Sequence, residues 1–143
     1  MTRALGVDLG SRRIGLAVSD PGGTIALPHG VLARTGDPGA DHAAIVHAAR
    51  DAGAVTIVVG LPRSLSGREG PAARATRREV DALRELAARD GIGVVVHDER
   101  LTTVIAHQQL RAGNVPKRAR RDTVDKVAAA VMLQSWLDGA PRP

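Results

Sequence analysis

The chain contains no cysteine, no tyrosine and no phenylalanine, and Trp136 is its only aromatic residue. Without cysteine it has neither a disulfide frame nor a thiolate metal site. Its core must be built from aliphatic side chains, and stacking of bases on aromatic rings is excluded as a main grip on nucleic acid. Long apolar runs are missing as well; none approaches the ~20 residues of a membrane span. The N-terminal MTRALGVDLG has neither the apolar stretch of a secretory signal nor a transit-peptide pattern. These absences set the expectation of a soluble, cytoplasmic protein without a membrane partner.

Lysine is scarce. Lys117 and Lys126 are the only two among 20 basic residues, which stand against 15 acids for a net charge of +5. Net charge alone does not separate a solvated, arginine-rich surface from a surface that meets a polyanion. Its distribution says more: Arg111, Lys117, Arg118, Arg120 and Arg121 follow one another with no acid between them. That is a local basic patch.

What the chain does have is enough apolar residues for one core. Its 143 residues are 43% hydrophobic, the size of a single domain, expected over 1–138 with a frayed tail at 139–143. Alternating apolar residues predict strands at 3–9 and 13–19, joined by the turn GSRR. A third strand is expected within 24–33, where Pro28 marks an edge or a bulge. Asp41 is the expected N-cap of a helix that ends near Gly53. VTIVVG at 55–60 reads as a strand buried on both faces. Pro71 opens a helix to about Arg89, stopped by Gly91. A strand at 92–99, a helix from Thr102 or Thr103 to Ala112, a basic loop GNVPKRARR and a last helix from about Thr123 to Leu137 complete the order. The class is α/β: a five-stranded mixed sheet flanked by helices. Its first, fourth and fifth strands are parallel, with carboxyl ends at the edge where α/β proteins place their sites.

Asp8 lies inside the first strand, alternating with the small residues Ala4, Gly6 and Gly10, which leave that strand face uncrowded. A carboxylate there could cap the turn, pair with Arg12 or Arg13, or bind a ligand. Two other acidic sites accompany it. Asp98 and Glu99 end the fifth strand in HDERLTT. Asp122 and Asp125 stand at the start of the last helix, where either could serve as an N-cap or a favourable first-turn acid. Three converging carboxylates would repel one another, and a divalent cation relieves that repulsion. Oxygen-only ligands suit Mg²⁺ or Mn²⁺ rather than Zn²⁺. The five histidines show no i,i+4 metal pairing, although His97 is close to Glu99 in sequence.

GVDLGSRRIGLAVSD, VVGLP, HDERLTTVIAHQQL and VDKVAAAVMLQSWL, in this order, resemble the signature blocks of the YqgF family. These are RuvC-like proteins with a ribonuclease H-like fold, described as nucleases processing the 5′ end of pre-16S ribosomal RNA and, by older analogy, as Holliday-junction resolvases. The resemblance implies a sheet order of 3-2-1-4-5. It also implies a hydrolase in which Asp8, Glu99 and Asp125 hold two catalytic metals. Asp122, preceding the expected first turn of the last helix, suits its N-cap. Asp8 and Glu99 would then start two strand spacings apart, about 9–10 Å. One departure is that Ser66-Gly67 replaces the Asp-Gly pair frequent after VVGLP, which removes an acid from that loop.

Arg12, Arg13, Lys117, Arg118, Arg120, Arg121 and Lys126 are the expected phosphate contacts, which add affinity without reading sequence. A structured RNA held through its backbone, such as pre-16S ribosomal RNA, is the expected partner. The alternatives are a branched-DNA endonuclease of recombination and repair and a non-catalytic RNA-binding assembly factor of the ribosome. DLGSRRIG also resembles the first phosphate motif of actin-like ATPases, but 143 residues leave no room for the second domain such proteins need, and Leu16-Ala17 stands where a phosphate loop needs Lys-Ser/Thr, so this reading is disfavoured. No oligomeric state follows from the sequence.

Overall fold

The computed structural model describes residues 3–62, 68–98 and 117–139, with the side chains of the last segment described from Lys126 onward. Its elements are β1 (Arg3–Leu9), β2 (Arg13–Ser19), β3 (Ala26–Ala33), α1 (Pro38–Asp51), β4 (Ala54–Leu61), α2 (Pro71–Ala88), β5 (Gly93–Asp98) and α3 (Lys117–Gly139). The strands form one sheet in the order β3-β2-β1-β4-β5. β1 runs antiparallel to β2, and β2 to β3. β1, β4 and β5 are parallel. This is the expected order, with carboxyl ends sharing one edge. The helix expected at 102–112, the Ser66-Gly67 pair, Glu99 and the tail from residue 140 lie outside the described residues.

The sheet is covered unequally, for reasons visible in β1. Leu5 and Val7 point to one face and join Ile14, Leu16, Ile57 and Val59 against Ile45 and Val46 of α1 and Val80 and Leu83 of α2. Ala4 and Gly6 point to the other face, where Ala17 and Val58 meet Ala129, Met132, Leu133 and Leu137 of α3. A Cβ on Gly6 would stand 2.8 Å from Leu133 Cβ and 3.2 Å from the Ala129 carbonyl. The small-residue face of β1 is therefore covered over Ala4 and Gly6, and its smallness is what lets a helix backbone approach.

Gln134 fastens α3 at the amino end of β1. Its Oε1 accepts from the Ala26 amide at 2.9 Å and its Nε2 donates to the Thr24 carbonyl at 2.9 Å. Ala26 pairs with Ser19, whose hydroxyl accepts from the Ala4 amide at 2.8 Å. With Gln134 at that end and Ala129 and Leu133 beside Gly6, α3 runs opposite to β1. A strand advances about 3.3 Å per residue and a helix 1.5 Å. From Gly6 to Asp8 the helix thus backs up by about four residues, to the turn around 125–128.

Three sequence expectations are corrected. α1 begins at Pro38, and its N-cap is Asp37, whose Oδ1 accepts from the Gly39 amide at 3.0 Å. Asp41 is inside the helix and 4% exposed. α3 begins at Lys117, not Thr123. Lys117, Arg118, Arg120 and Arg121 thus belong to a helix rather than a loop, and Asp122 is inside the helix rather than at its cap. No glycine or proline interrupts residues 117–138, and lysine, arginine and alanine are good helix formers. Pro28 does lie in the edge strand, beside a register shift between Leu16 and Ala17. Among the described residues no helix is long and apolar enough to cross a membrane.

Gly6→Ala tests the close approach. The added methyl forces α3 outward or strains Leu133, and overpacking of this kind costs about 1–3 kcal/mol. Urea unfolding of wild type and variant is expected to show a lower midpoint with an unchanged slope.

Candidate active site

Strand pairing sets what stands beside Asp8. Its partner in β2 is Gly15. The β1–β4 register pairs Val7 with Val59, so its continuation brings Gly60 beside Asp8 on the other side. Gly60 in turn pairs with His97 of β5. Gly15, Asp8, Gly60 and His97 thus form one row across the sheet, on the face that carries α3. Asp8 is half-buried, and its lateral neighbours in that row are both glycines. Along the chain, Gly6 and Gly10 flank it two residues to either side.

His97 lies two strand spacings from Asp8, about 9–10 Å. Its Nε2 is 3.0 Å from Ser135 Oγ of α3. Partial burial holds its imidazole below the ordinary value, with the Asp98 carboxylate pulling the other way. In α3, Asp125 stands four residues before Ala129 and seven before Met132, both of which are buried. Asp122 stands seven residues before Ala129, about one turn further from the sheet's amino end. The side chains of both, and Glu99 altogether, lie outside the described residues, as do the side chains of Lys117, Arg118, Arg120 and Arg121. Among the described residues no three acidic or histidine side chains converge. Arg12 is exposed on the β1–β2 turn, while Arg13 and Lys126 are half-buried.

A polar network behind the sheet escaped the sequence reading. The Arg34 guanidinium, just past β3, donates to Glu79 of α2 through Nη1 and Nη2 at 2.7 and 2.9 Å. Its Nε donates to the Gly10 carbonyl at 2.9 Å. Glu79 Oε1 is also 3.0 Å from His42 Nε2. Asp41 Oδ1 accepts from the Thr35 amide and hydroxyl at 3.0 and 2.8 Å, and its Oδ2 is 3.9 Å from Arg34 Nη1. The Arg34 fork holds the Glu79 carboxyl below its ordinary range, aided by His42 and opposed by burial. Thr35 does the same for Asp41, and Glu79 raises Arg34 further. Gly10 and Glu79 lie tens of positions from the 34–42 segment in sequence, and Arg34 and Glu79 each look alone like a surface charge. Further along the same side of the sheet, a hollow of about 760 Å³ lies between β3 and α1, lined by Leu16, Leu32, Val46, His29 and His47. It is on the opposite face from Asp8.

Residues 2–139 match the family described as "RuvX: Holliday junction resolvase". A protein of Frankia casuarinae is 47% identical over 134 residues, covering 94% of this chain and 65% of its own length. One from Kineococcus radiotolerans is 47% identical over 136 residues, covering 94% and 70%. One from Corynebacterium diphtheriae is 43% identical over 145 residues, covering 96% and 85%. All three carry the name "Putative pre-16S rRNA nuclease". The chain thus spans less than two thirds of the Frankia relative's length. Among solved structures, Thermus thermophilus RuvC aligns over 96% of this chain and 97% of its own, with a TM-score of 0.56 at 16% identity. Fowlpox virus resolvase, solved with Holliday junction DNA, aligns over the same shares with a TM-score of 0.56 at 8% identity. Both likenesses show the fold.

The network makes stability depend on acid. Glu79 titrates in the folded protein below its ordinary 4.5, and Asp41 below 3.8. The stability they contribute is complete above those values and is lost as pH falls through the lower, folded ones. Thermal unfolding between pH 7 and pH 3 is expected to show wild type declining from about pH 4.5 downward. Glu79→Gln is expected to start about 1–3 kcal/mol less stable at pH 7 and to decline less steeply.

Proposed function

The chain belongs to the RuvX family, and from that membership we propose that it is a metal-dependent nuclease that hydrolyses phosphodiester bonds in the 5′ region of pre-16S ribosomal RNA. The observation that carries the reading is Asp8. It is a half-buried acid at the carboxyl end of the central strand, flanked in its row by Gly15 and Gly60 and facing the side on which α3 runs. The carboxyl edge of parallel strands is where α/β proteins place their ligands, and an acid there suits a cation and a phosphate. The names of the relatives support the RNA substrate, and the family description supports nucleic acid cleavage in general.

The donor set fits Mg²⁺ or Mn²⁺, being carboxylate oxygen without thiolate. In this reading Asp8, Glu99 and Asp125 hold the metal, which when bound supplies Lewis-acid stabilisation and an activated water for the in-line displacement. Asp8 fixes the site to the most enclosed strand of the sheet. By the rise per residue of strand and helix, the α3 turn at 125–128 falls level with Asp8, and Glu99 follows directly on β5. Arg12 on the exposed turn, with Arg13, Lys126 and the basic first turns of α3, binds flanking phosphates. Lys117, Arg118, Arg120 and Arg121 fall within the first five residues of α3, so they belong to a regular helix rather than a pliant loop, which suits the regular backbone of a duplex. The protein acts in the cytoplasm, where ribosomal precursors are processed.

A Mn²⁺-dependent cleavage assay tests this reading, with a pre-16S ribosomal RNA fragment and a four-way DNA junction as competing substrates. Cleavage of the RNA in preference to the junction is the expected result; the reverse preference assigns the protein to branched DNA. Asp8→Asn and Asp125→Asn are expected to remove activity while leaving the fold intact. Asp122→Asn is expected to retain it; a dead Asp122 variant beside an active Asp125 variant would exchange their roles. Neutralising Lys117, Arg118, Arg120 and Arg121 is expected to weaken RNA binding and to flatten its salt dependence, by roughly 0.7–0.9 in logarithmic slope per lost phosphate contact.

A further inference from the structure

We infer that Arg34 is a positioning residue for this reaction, holding the β1–β2 turn and through it the strand end that carries Asp8. The inference rests on the nuclease reading above and adds to it a residue on the opposite face of the sheet.

The turn that follows Asp8 is held at two places, both by Arg34. Its side-chain Nε donates to the Gly10 carbonyl at 2.9 Å. Its backbone amide donates to the Arg12 carbonyl at 2.8 Å. Between these points the Gly10 amide donates to the Asp8 carbonyl at 3.1 Å. The turn is also tight, since a Cβ on Gly10 would stand 2.5 Å from the Arg13 carbonyl. Hydrogen bonds therefore lead from the Arg34 side chain through Gly10 to the backbone of Asp8, and from the Arg34 backbone to Arg12, the exposed arginine proposed to meet a phosphate.

The guanidinium is itself immobilised. It is 17% exposed, forked onto both oxygens of Glu79 and 3.9 Å from Asp41. Glu79 is held from α1 by His42, which is 5% exposed. The turn is thus referred to both helices behind the sheet. Stability alone does not call for this arrangement, because buried charge networks are matched or exceeded by apolar packing of similar volume. What the network does provide is a fixed orientation. A planar fork with an additional Nε–H can grip a carboxylate and a carbonyl at once, whereas an ammonium group is a point charge without that geometry. A nuclease carboxylate needs such a fixed base, since misplacement of a reacting group by about 1 Å costs on the order of 100-fold in rate.

The experiment compares Arg34→Lys with wild type at 25 °C, after circular dichroism and thermal unfolding have established that both are folded at that temperature. Arg77→Lys, which alters an exposed ion pair with Glu69, is the control for arginine replacement. Cleavage of the RNA fragment is followed across substrate and Mn²⁺ concentrations. Positioning predicts that Arg34→Lys lowers kcat by about 10- to 100-fold with little change in KM. It also predicts a shift of the Mn²⁺ requirement to higher concentration, while Arg77→Lys behaves as wild type. Amide hydrogen exchange of Gly10, Arg12 and Arg13 is expected to quicken in Arg34→Lys alone. A lower unfolding temperature with unchanged kcat per folded molecule overturns the inference and leaves Arg34 a brace of the fold. Should Arg34→Lys fail to fold, Glu79→Gln carries the same test, because it loosens the fork while leaving the guanidinium in place. A wild-type protein that cleaves neither substrate overturns the nuclease reading itself. A wild type that cleaves, beside variants that cleave equally well, overturns only the role of Arg34.

Discussion

Everything on one side of this molecule depends on how near α3 comes to β1. Ala4, Gly6 and Ala17 keep the sheet surface low, and Ala129 and Ala130 keep the helix surface low. Close approach of backbones leaves little freedom of position, so contact at Gly6 fixes the height and heading of α3 along the strand. Gln134 closes one end of that contact with hydrogen bonds to the start of β3. The other end is thereby directed to the carboxyl edge of the sheet. A chain without phenylalanine or tyrosine has few bulky groups with which to fill a thick layer. It places its isoleucine, leucine and valine mainly under α1 and α2 and solves the second face by proximity.

β1 consequently has two different surroundings at one end. In front of Asp8 its neighbours in the row are glycines. Behind the same strand end, Arg34, Glu79, His42 and Asp41 form a dense polar cluster that reaches the Gly10 carbonyl. The back carries groups whose hydrogen bonds are directional and reach the turn that follows Asp8. Such backing suits a site in which the reacting group must be held in place.

The sheet was legible in the sequence because its signals are local. Alternation in β1 and β2, the β-branched run of β4, and the Pro71 and Gly91 boundaries of α2 each depend on a few neighbouring residues. Helix starts were harder to read. Asp41 has the side chain of a cap but is buried beside Thr35, because Asp37 before Pro38 competes for the cap and wins. The first turns of α3 read as a loop because their charge masks a stretch that lacks helix breakers. Asp8 was conspicuous as an acid in a strand of small residues, yet its lateral neighbours Gly15 and Gly60 emerge only from strand register. The Arg34 network had no local signature. Its members are joined by the packing of three elements, and an arginine after a strand or a glutamate on a helix looks like ordinary solvated charge.

Trp136 gives the close approach of α3 an optical consequence. It is half-buried on that helix, packed against the cluster formed with Ala4, Ala17 and Val58, and no tyrosine elsewhere in the chain competes with it. Its indole is therefore a built-in fluorophore attached to a single event, the seating of the C-terminal helix on the sheet. Emission wavelength and quenching follow that seating without a label, and they can be recorded separately from circular dichroism, which sums over every helix at once.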